Sequence, residues 1–448
     1  MGCELTSRSM IGPEEASIAA ADSASGPPTA DEELDIVGAT ALPVLYRLFQ
    51  RYGDICRIYT PALGRHVWLV SAPEAARRVL VLNHRNYVKG IGIERVRILL
   101  GNGLMVSEGE CWRRQRKMIQ PAFHRTVLAA LFDGMRAANE RLLQRWLDAA
   151  DGKRTLDVTH DVSEVTLEIV LRAIFGDELE ALQSQGTDPF AILTQDDQRN
   201  LAFAYKFRQL ASLVLASVER RRAKGPTTQD FLSFLIDAGD PVSGKPMPER
   251  QLLDEIMTLI VAGHETTASA LSWMWYCLTC NPEAEARLQE ELRRLPNRAL
   301  EHADLPALTL SRQIVQETLR LYPPGWLLTR RAIGPDRIGG CQVPQGTDVL
   351  ISPFIVHRHP GFWADPERFY PERFAEEAFG RDQRAAYFPF GMGPRACIGE
   401  QMAMMEMLVH LATIARRGRL RRATDEPVET HAQVNLRTRR PLLMTFEK

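Results

Sequence analysis

From about residue 110 to about residue 310, nearly every segment repeats its apolar residues at helical spacing, and no other feature constrains the fold as much. The run includes "VLAALFDGMRAANERLLQRWLDAA" (127–150), "DVSEVTLEIVLRAIFG" (161–176), "NLAFAYKFRQLASLVLASVERRRA" (200–223) and "LIVAGHETTASALSW" (259–273). A chain helical over such a length is neither a β-sandwich nor an alternating α/β fold. Strand-like patterns occur only around this run. "DICRIYT" (54–60) and "HVWLVS" (66–71) precede it; "LTRRAI" (328–333), "QVPQGTDVLISPF" (342–354) and "NLRTRRPLLMTF" (435–446) follow it. The expectation is a mainly α fold, a large helical body with small β-sheets. With no internal repeat, residues 36–448 read as one domain. Residues 1–35, rich in Ser, Ala, Glu, Asp and Pro, read as a disordered lead-in.

Composition excludes several function classes. A formal charge of −1 on 448 residues argues against a polyanion-binding protein, so no nucleic-acid partner is expected. No run of about 18 apolar residues offers a transmembrane segment, and the first 30 residues lack a signal peptide's apolar block. "MGCELT" fits a minimal acylation pattern at Gly2 and Cys3, which is short enough to recur by chance. Seven scattered cysteines form no disulfide framework and suit a reducing compartment. Cys277 and Cys280 are spaced for zinc, but no second ligand pair accompanies them; on a helix such a pair is ordinarily packing.

Four stretches carry chemistry. In "FGMGPRACIG" (390–399) a glycine-lined turn presents Cys397 just before a helix, with Arg395 two residues away. Glycines let the backbone approach a flat partner and aim N–H groups at the sulfur, and positive neighbours or a helix N-terminus favour the thiolate, a strong metal ligand. The plain alternative is a buried free cysteine. In "LIVAGHETTASALSW" an apolar helix is interrupted at Gly263, and the Thr266 hydroxyl can turn back to the carbonyl of Ala262. Glu265 beside Thr266 suits proton delivery to something bound there; a locally solvated face is the alternative. In "QETLRLYPP" (316–324) Glu317 and Arg320 are placed to pair at i,i+3 on an apolar face, with Arg373 of "DPERFYPERF" (365–374) as a third member. In "CWRRQRK" (111–117) Trp112 and Arg116 lie one turn apart and can address one planar, anionic object, unless this is simply a basic face toward solvent.

In this order and spacing, these motifs resemble the cytochrome P450 family. The likeness spans residues 110–405, and the flanking elements extend it to most of 40–448. It implies the P450 fold, with haem b between the oxygen-groove helix and the cysteine-loop helix, and Cys397 as the proximal thiolate ligand. Phe390 is then expected against the thiolate, with Gly391, Gly393 and Gly399 allowing amide hydrogen bonds to it. Arg395, Arg116, Trp112 and Arg330 are expected to hold the haem propionates, with Arg331 as the alternative to Arg330. Thr266 and Glu265 are expected to deliver protons, Ala262 and Gly263 to line the oxygen groove, and Glu317, Arg320 and Arg373 to form a structural triad.

The resemblance further implies a cytoplasmic, monomeric monooxygenase. Its electrons are expected from a ferredoxin or flavodoxin with its reductase, docking around Arg113, Arg114 and Lys117. "QPAFH" (120–124) and "PPGWLLTRR" (323–331) resemble the branch that oxidises fatty acids and terpenoids. The chain between 176 and 219 is short for that branch. Segment 87–105, Thr258, Val261, Ala262 and Trp326–Thr329 are expected around a hydrophobic substrate. The alternative functions are a peroxide-driven peroxygenase or isomerase, a haem-thiolate sensor or carrier, and a colourless helical scaffold.

Overall fold

The computed structural model describes residues 26–36, 38, 40–176, 178–183, 188–195, 201–224, 230–240 and 242–448. The acylation pattern at Gly2 and Cys3 lies outside them. Its helical body is built on a few long elements. Helix α1 (Ala41–Tyr52) buries Leu42, Leu45, Leu48 and Phe49 along one face. Helices α2 (Gly109–Ile119), α3 (Arg125–Asp151), α4 (Val158–Phe175), α5 (Glu249–Cys280), α6 (Thr309–Leu321) and α7 (Glu400–Ala415) follow. The centre is α5, packed along α4, while α7 packs along α3. Shorter helices, including Leu201–Lys224 and Pro282–Arg293, complete the body.

The largest sheet has five strands: β1 (Ile55–Thr60), β2 (Arg65–Val70), β3 (Tyr87–Lys89), β4 (Leu328–Ala332) and β5 (Asp348–Ile351), in the order β1-β2-β5-β4-β3. Within this sheet the β2–β5 pair is parallel and the other three pairs are antiparallel. β5 is buried along its whole length, as a central strand covered on both faces should be. At the far edge, β3 pairs antiparallel with β4 and sets Lys89 opposite Arg330. The remaining sheets are small: a three-stranded one containing Leu443–Glu447 and two two-stranded hairpins.

Two sequence expectations need correction. The lead-in does not extend to residue 35. Residues 28–34 run along the open edge of β1, where Ala30 and Leu34 donate to Arg57 and Tyr59 carbonyls and Arg57 donates to Pro28. Leu34 is fully buried beside α1, and Asp31 and Glu32 pair with Arg51 and Arg47. One apolar anchor and an unpaired strand edge thus order a segment of polar composition. The second correction concerns α5, which runs unbroken for 32 residues through Gly263. Thr266 and Thr267 do turn their hydroxyls to the i−4 carbonyls, at 2.9 and 3.2 Å, but within a continuous helix. Gly263 has a packing reason: a Cβ there would lie 3.0 Å from Val170 of α4. Cys277 is buried in α5, and Cys280 is exposed at its end.

Candidate active site

The cysteine turn is shaped by backbone geometry. Gly391 and Gly393 adopt φ values of +72° and +74°, a region that L side chains disfavour. At Gly393 a Cβ would also lie 2.3 Å from the Leu80 carbonyl oxygen. Within the turn, Gly391 N–H donates to Phe388, Ala396 to Gly393 and Cys397 to Phe390. α7 begins directly afterwards, capped at Gly399. Cys397 lies deep in the molecule, yet its side chain opens onto a cavity of about 340 Å³. Burial pushes its thiol up, and Glu400 adds to this. The N–H groups of Gly399 and Glu400 and the Arg116 guanidinium pull the other way without prevailing. Local positive neighbours therefore do not by themselves make a thiolate, contrary to the simplest reading of the motif; a coordinated metal ion deprotonates such a ligand outright.

Four cations line the cavity: Lys89, Arg116, Arg330 and Arg395. Arg116 donates to the Ala396 carbonyl at 2.9 Å, fastening α2 to the cysteine turn. Arg395 lies 3.9 Å above the Trp112 ring, donates to the Ser107 carbonyl and pairs with Glu108. Strand alternation decides between the neighbouring arginines. Arg330 faces the cavity, whereas Arg331 is turned to Asp348 at 2.8 and 3.1 Å. Burial pushes the Lys89 ammonium down to about 7, and Arg395 and Arg330 add to this against Glu108. Lys89 falls within segment 87–105, expected around the substrate, although no motif singles it out; Glu108 belongs to no motif. Glu108 accepts the Lys89 backbone N–H at 2.7 Å while holding Arg395. Strand pairing with "LTRRAI" is the signal that sets Lys89 beside Arg330.

The opposite wall comes from α5. Ala262, Gly263, Thr266 and Thr267 line the cavity, together with Thr258. Glu265 does not. Its carboxylate accepts from the Asn435 amide at 3.2 Å, so it is not beside Thr266 on the cavity wall. His264 is buried and bonds Ser163 at 2.8 Å. Of the expected substrate-facing residues, Thr258, Ala262, Leu104, Met105 and Leu328 line the cavity; Val261 does not, and buried Trp326 donates to the Gln433 carbonyl. Phe390 also lines it. Away from the cavity, Glu317 holds Arg320 at 2.7 Å and Arg373 at 3.2 Å, with Glu317 and Arg320 fully buried.

The family model described as "Cytochrome P450" matches residues 41–212 and 187–446. The chain belongs to the cytochrome P450 family. It is similar to cyclooctatin synthase of Streptomyces melanosporofaciens, at 35% identity over 88% of this chain and 89% of that one. A second relative from that organism, cyclooctat-9-en-7-ol 5-monooxygenase, is 34% identical over 83% of each chain. The crystal structure of the cytochrome P450DA heme domain superposes with a TM-score of 0.84 at 22% identity, covering 94% of this chain and 98% of that one, which shows the fold. This P450 is a monooxygenase, an oxidoreductase. Its family implies haem iron, and the cavity fits that group: a thiol beside glycines without side chains, and four cations suited to the two carboxylates of a haem. Among the described residues, no helix is long and apolar enough to cross a membrane.

Proposed function

We propose that this P450 binds haem b through Cys397 and hydroxylates a hydrophobic terpenoid, or failing that a fatty acid, with electrons from a separate ferredoxin or flavodoxin. The observation that carries this reading is the Cys397 side chain opening onto the same cavity as Thr266 and the four cations. Haem bound there supplies oxygen activation: with two electrons and two protons, one atom of dioxygen enters the substrate and the other leaves as water. The chain's residues do the rest. Arg116, Arg330, Arg395 and Lys89 hold the haem carboxylates, and Trp112 carries Arg395 on its ring face. The Gly399 and Glu400 N–H groups point at the Cys397 sulfur and temper its basicity. The Thr266 hydroxyl, bonded to the Ala262 carbonyl, offers its oxygen at the cavity wall to orient an incoming proton; the Glu265 carboxylate, turned to Asn435, does not reach it. Val170, Phe231, Leu259 and Leu104 make the wall apolar and exclude water from the reacting carbon.

The terpenoid class is favoured by the relatives named for cyclooctatin chemistry and by this apolar wall. The exposed Arg113, Arg114 and Lys117 on α2 support docking of the electron donor on that face, where Arg113 and Arg114 also pair with Glu110 and Asp240. The deciding experiment is spectroscopic. The reduced protein with carbon monoxide should show the red-shifted Soret band of thiolate ligation, and Cys397→Ala should lose it. Cyclic terpenes should shift the haem spin state and be hydroxylated with a surrogate ferredoxin and reductase. Retention of the band by Cys397→Ala would overturn the ligand assignment. Turnover with peroxide, and none with dioxygen and electrons, would overturn the oxygen-activation reading in favour of a peroxygenase.

A further inference from the structure

Part of the cavity wall is a loop, residues 101–106, and its backbone is gripped by two consecutive carboxylates of α5. Asp254 Oδ2 accepts the Asn102 N–H at 2.8 Å, and Glu255 Oε2 accepts the Leu104 N–H at 2.7 Å. Two glycines allow this approach. Gly101 has φ +61°, and a Cβ there would lie 2.2 Å from the Asp254 carboxylate. At Gly103 a Cβ would lie 2.2 Å from the Thr258 hydroxyl oxygen and 2.6 Å from the Asp254 carbonyl oxygen. From the other side, Gln115 of α2 donates to the Asn102 carbonyl at 2.7 Å. The loop is thus strung between the helix carrying Thr266 and the helix carrying Trp112 and Arg116.

The grip and the wall are separate residues. Leu104, Met105 and Thr258 line the cavity, while Asp254 and Glu255 do not. Glu255 is buried, only 1% exposed, with no cation paired to it among the described residues, and its Oε1 finds no hydrogen-bond partner there. Burial, with a further push from Asp254, raises its carboxyl to about 8 against the Leu104 N–H bond. It is therefore mostly neutral at pH 7. Burying such a group is costly, and the hydrogen bond it makes here holds one amide of the wall.

We propose that Glu255, with Asp254 beside it, is a positioning residue for substrate selection: it fixes how far Leu104 and Met105 project into the cavity, and so which hydrophobic molecules fit and which carbon is presented. The proposal rests on the monooxygenase reading above. Three variants of the full-length, haem-loaded enzyme test it. Glu255→Leu removes the acceptor, Glu255→Gln keeps an acceptor oxygen at the same reach, and Gly103→Ala pushes the loop off α5 by a different route. The readouts are amide hydrogen exchange at residues 102–104, spin-state dissociation constants for cyclic terpene hydrocarbons of graded size, and the regiochemistry of the products.

Glu255→Leu and Gly103→Ala should speed exchange in the loop about tenfold, the loss of one hydrogen bond. They should flatten the ranking of dissociation constants by a similar factor and spread the products over more positions, while the carbon monoxide band is unchanged. Glu255→Gln should behave as wild type in all three. Wild-type exchange and ranking in Glu255→Leu would overturn the proposal, as would a Glu255→Gln indistinguishable from Glu255→Leu. Should Glu255→Leu fail to fold, Gly103→Ala and Glu255→Gln still decide it. Absence of the thiolate band in wild type would sink the function reading instead, leaving the exchange result to stand or fall separately.

Discussion

Thr266 donates its hydroxyl proton to the Ala262 carbonyl at 2.9 Å, which leaves its oxygen free to accept on the cavity side. Thr266→Ala removes that group and little else, since a hydroxyl bonded back at i−4 contributes little to a helix. The variant should load haem and bind substrate normally while product per electron falls and free peroxide rises, because the cavity loses the acceptor that orients an incoming proton, and losing a positioned acid–base group costs about 10²–10⁴ in the step it serves. Product and peroxide measured against reductant consumed will show this; unchanged coupling removes Thr266 from the chemistry. The two glycines of the cysteine turn separate strain from collision. Gly391→Ala meets nothing nearer than the Ala396 Cα at 4.0 Å and carries only the left-handed strain, about 1–2 kcal/mol. Gly393→Ala adds a Cβ 2.3 Å from the Leu80 carbonyl oxygen, a backbone atom that cannot turn aside. The yield of folded protein should be near normal for Gly391→Ala and low for Gly393→Ala. Equal yields would mean that the turn can shift as a body.

At the scale of elements, α4 and α5 meet through Gly263 and Val170. Alanine at 263 gains about 0.5–1 kcal/mol of helix propensity but overpacks against Val170, which typically costs about 1–3 kcal/mol. Gly263→Ala should therefore be net destabilising by about 1 kcal/mol, and less so in a Val170→Ala background. A double-mutant cycle by denaturant unfolding checks this, and strict additivity would show that the contact is not tight. What was legible in the sequence follows the same scale. Helices read well because their period is local, and the shape of the cysteine turn, the Thr266 bond to Ala262 and the Glu317–Arg320 pair were legible because each is complete within ten residues or fewer. Lys89 lay inside segment 87–105, but its place beside Arg330, like that of Glu108, was illegible because it depends on the β3–β4 register and a bond across the start of α2. Glu265 misled because adjacency in sequence places a neighbour about 100° around a helix, here toward Asn435. The ordered stretch at 28–34 was missed because composition cannot see a strand edge waiting to be covered.

The whole molecule is tied together by buried polar groups whose charge states are not interchangeable. Arg320 has no exposed side-chain surface and makes five hydrogen bonds, two to Glu317 and one each to the His357, Pro366 and Arg368 carbonyls. A lysine has three donors on a single atom and cannot span them, so Arg320→Lys should fold poorly despite keeping the charge, at a cost of about 3–5 kcal/mol. Expression and thermal midpoint will show it; wild-type stability would mean water can replace the fork. His410 on α7 does similar work as a neutral group. Its Nε2 accepts from Trp275 of α5 at 2.9 Å, and its Nδ1 donates to Asn139 of α3 at 2.7 Å. Burial lowers its pKa to about 3, against about 6.5 for an unfolded histidine. Above pH 6.5 both states are neutral and the group's full contribution is present. As pH falls from 6.5 toward 3, the unfolded chain takes up a proton that the folded one refuses, and up to about 1.4 kcal/mol is lost per pH unit. Buried His357, also lowered to about 3, adds an equal loss over the same window. His410→Gln can still accept from Trp275 and donate to Asn139 but cannot be protonated. It should be less stable than wild type at pH 8 by its packing loss alone, and the gap should narrow steadily below pH 6.5. Denaturant unfolding of both proteins at pH 8, 6, 5 and 4 measures the gap directly. A gap that stays constant across that range would mean His410 is not held neutral, and the acid sensitivity of the fold would have to come from its carboxylates.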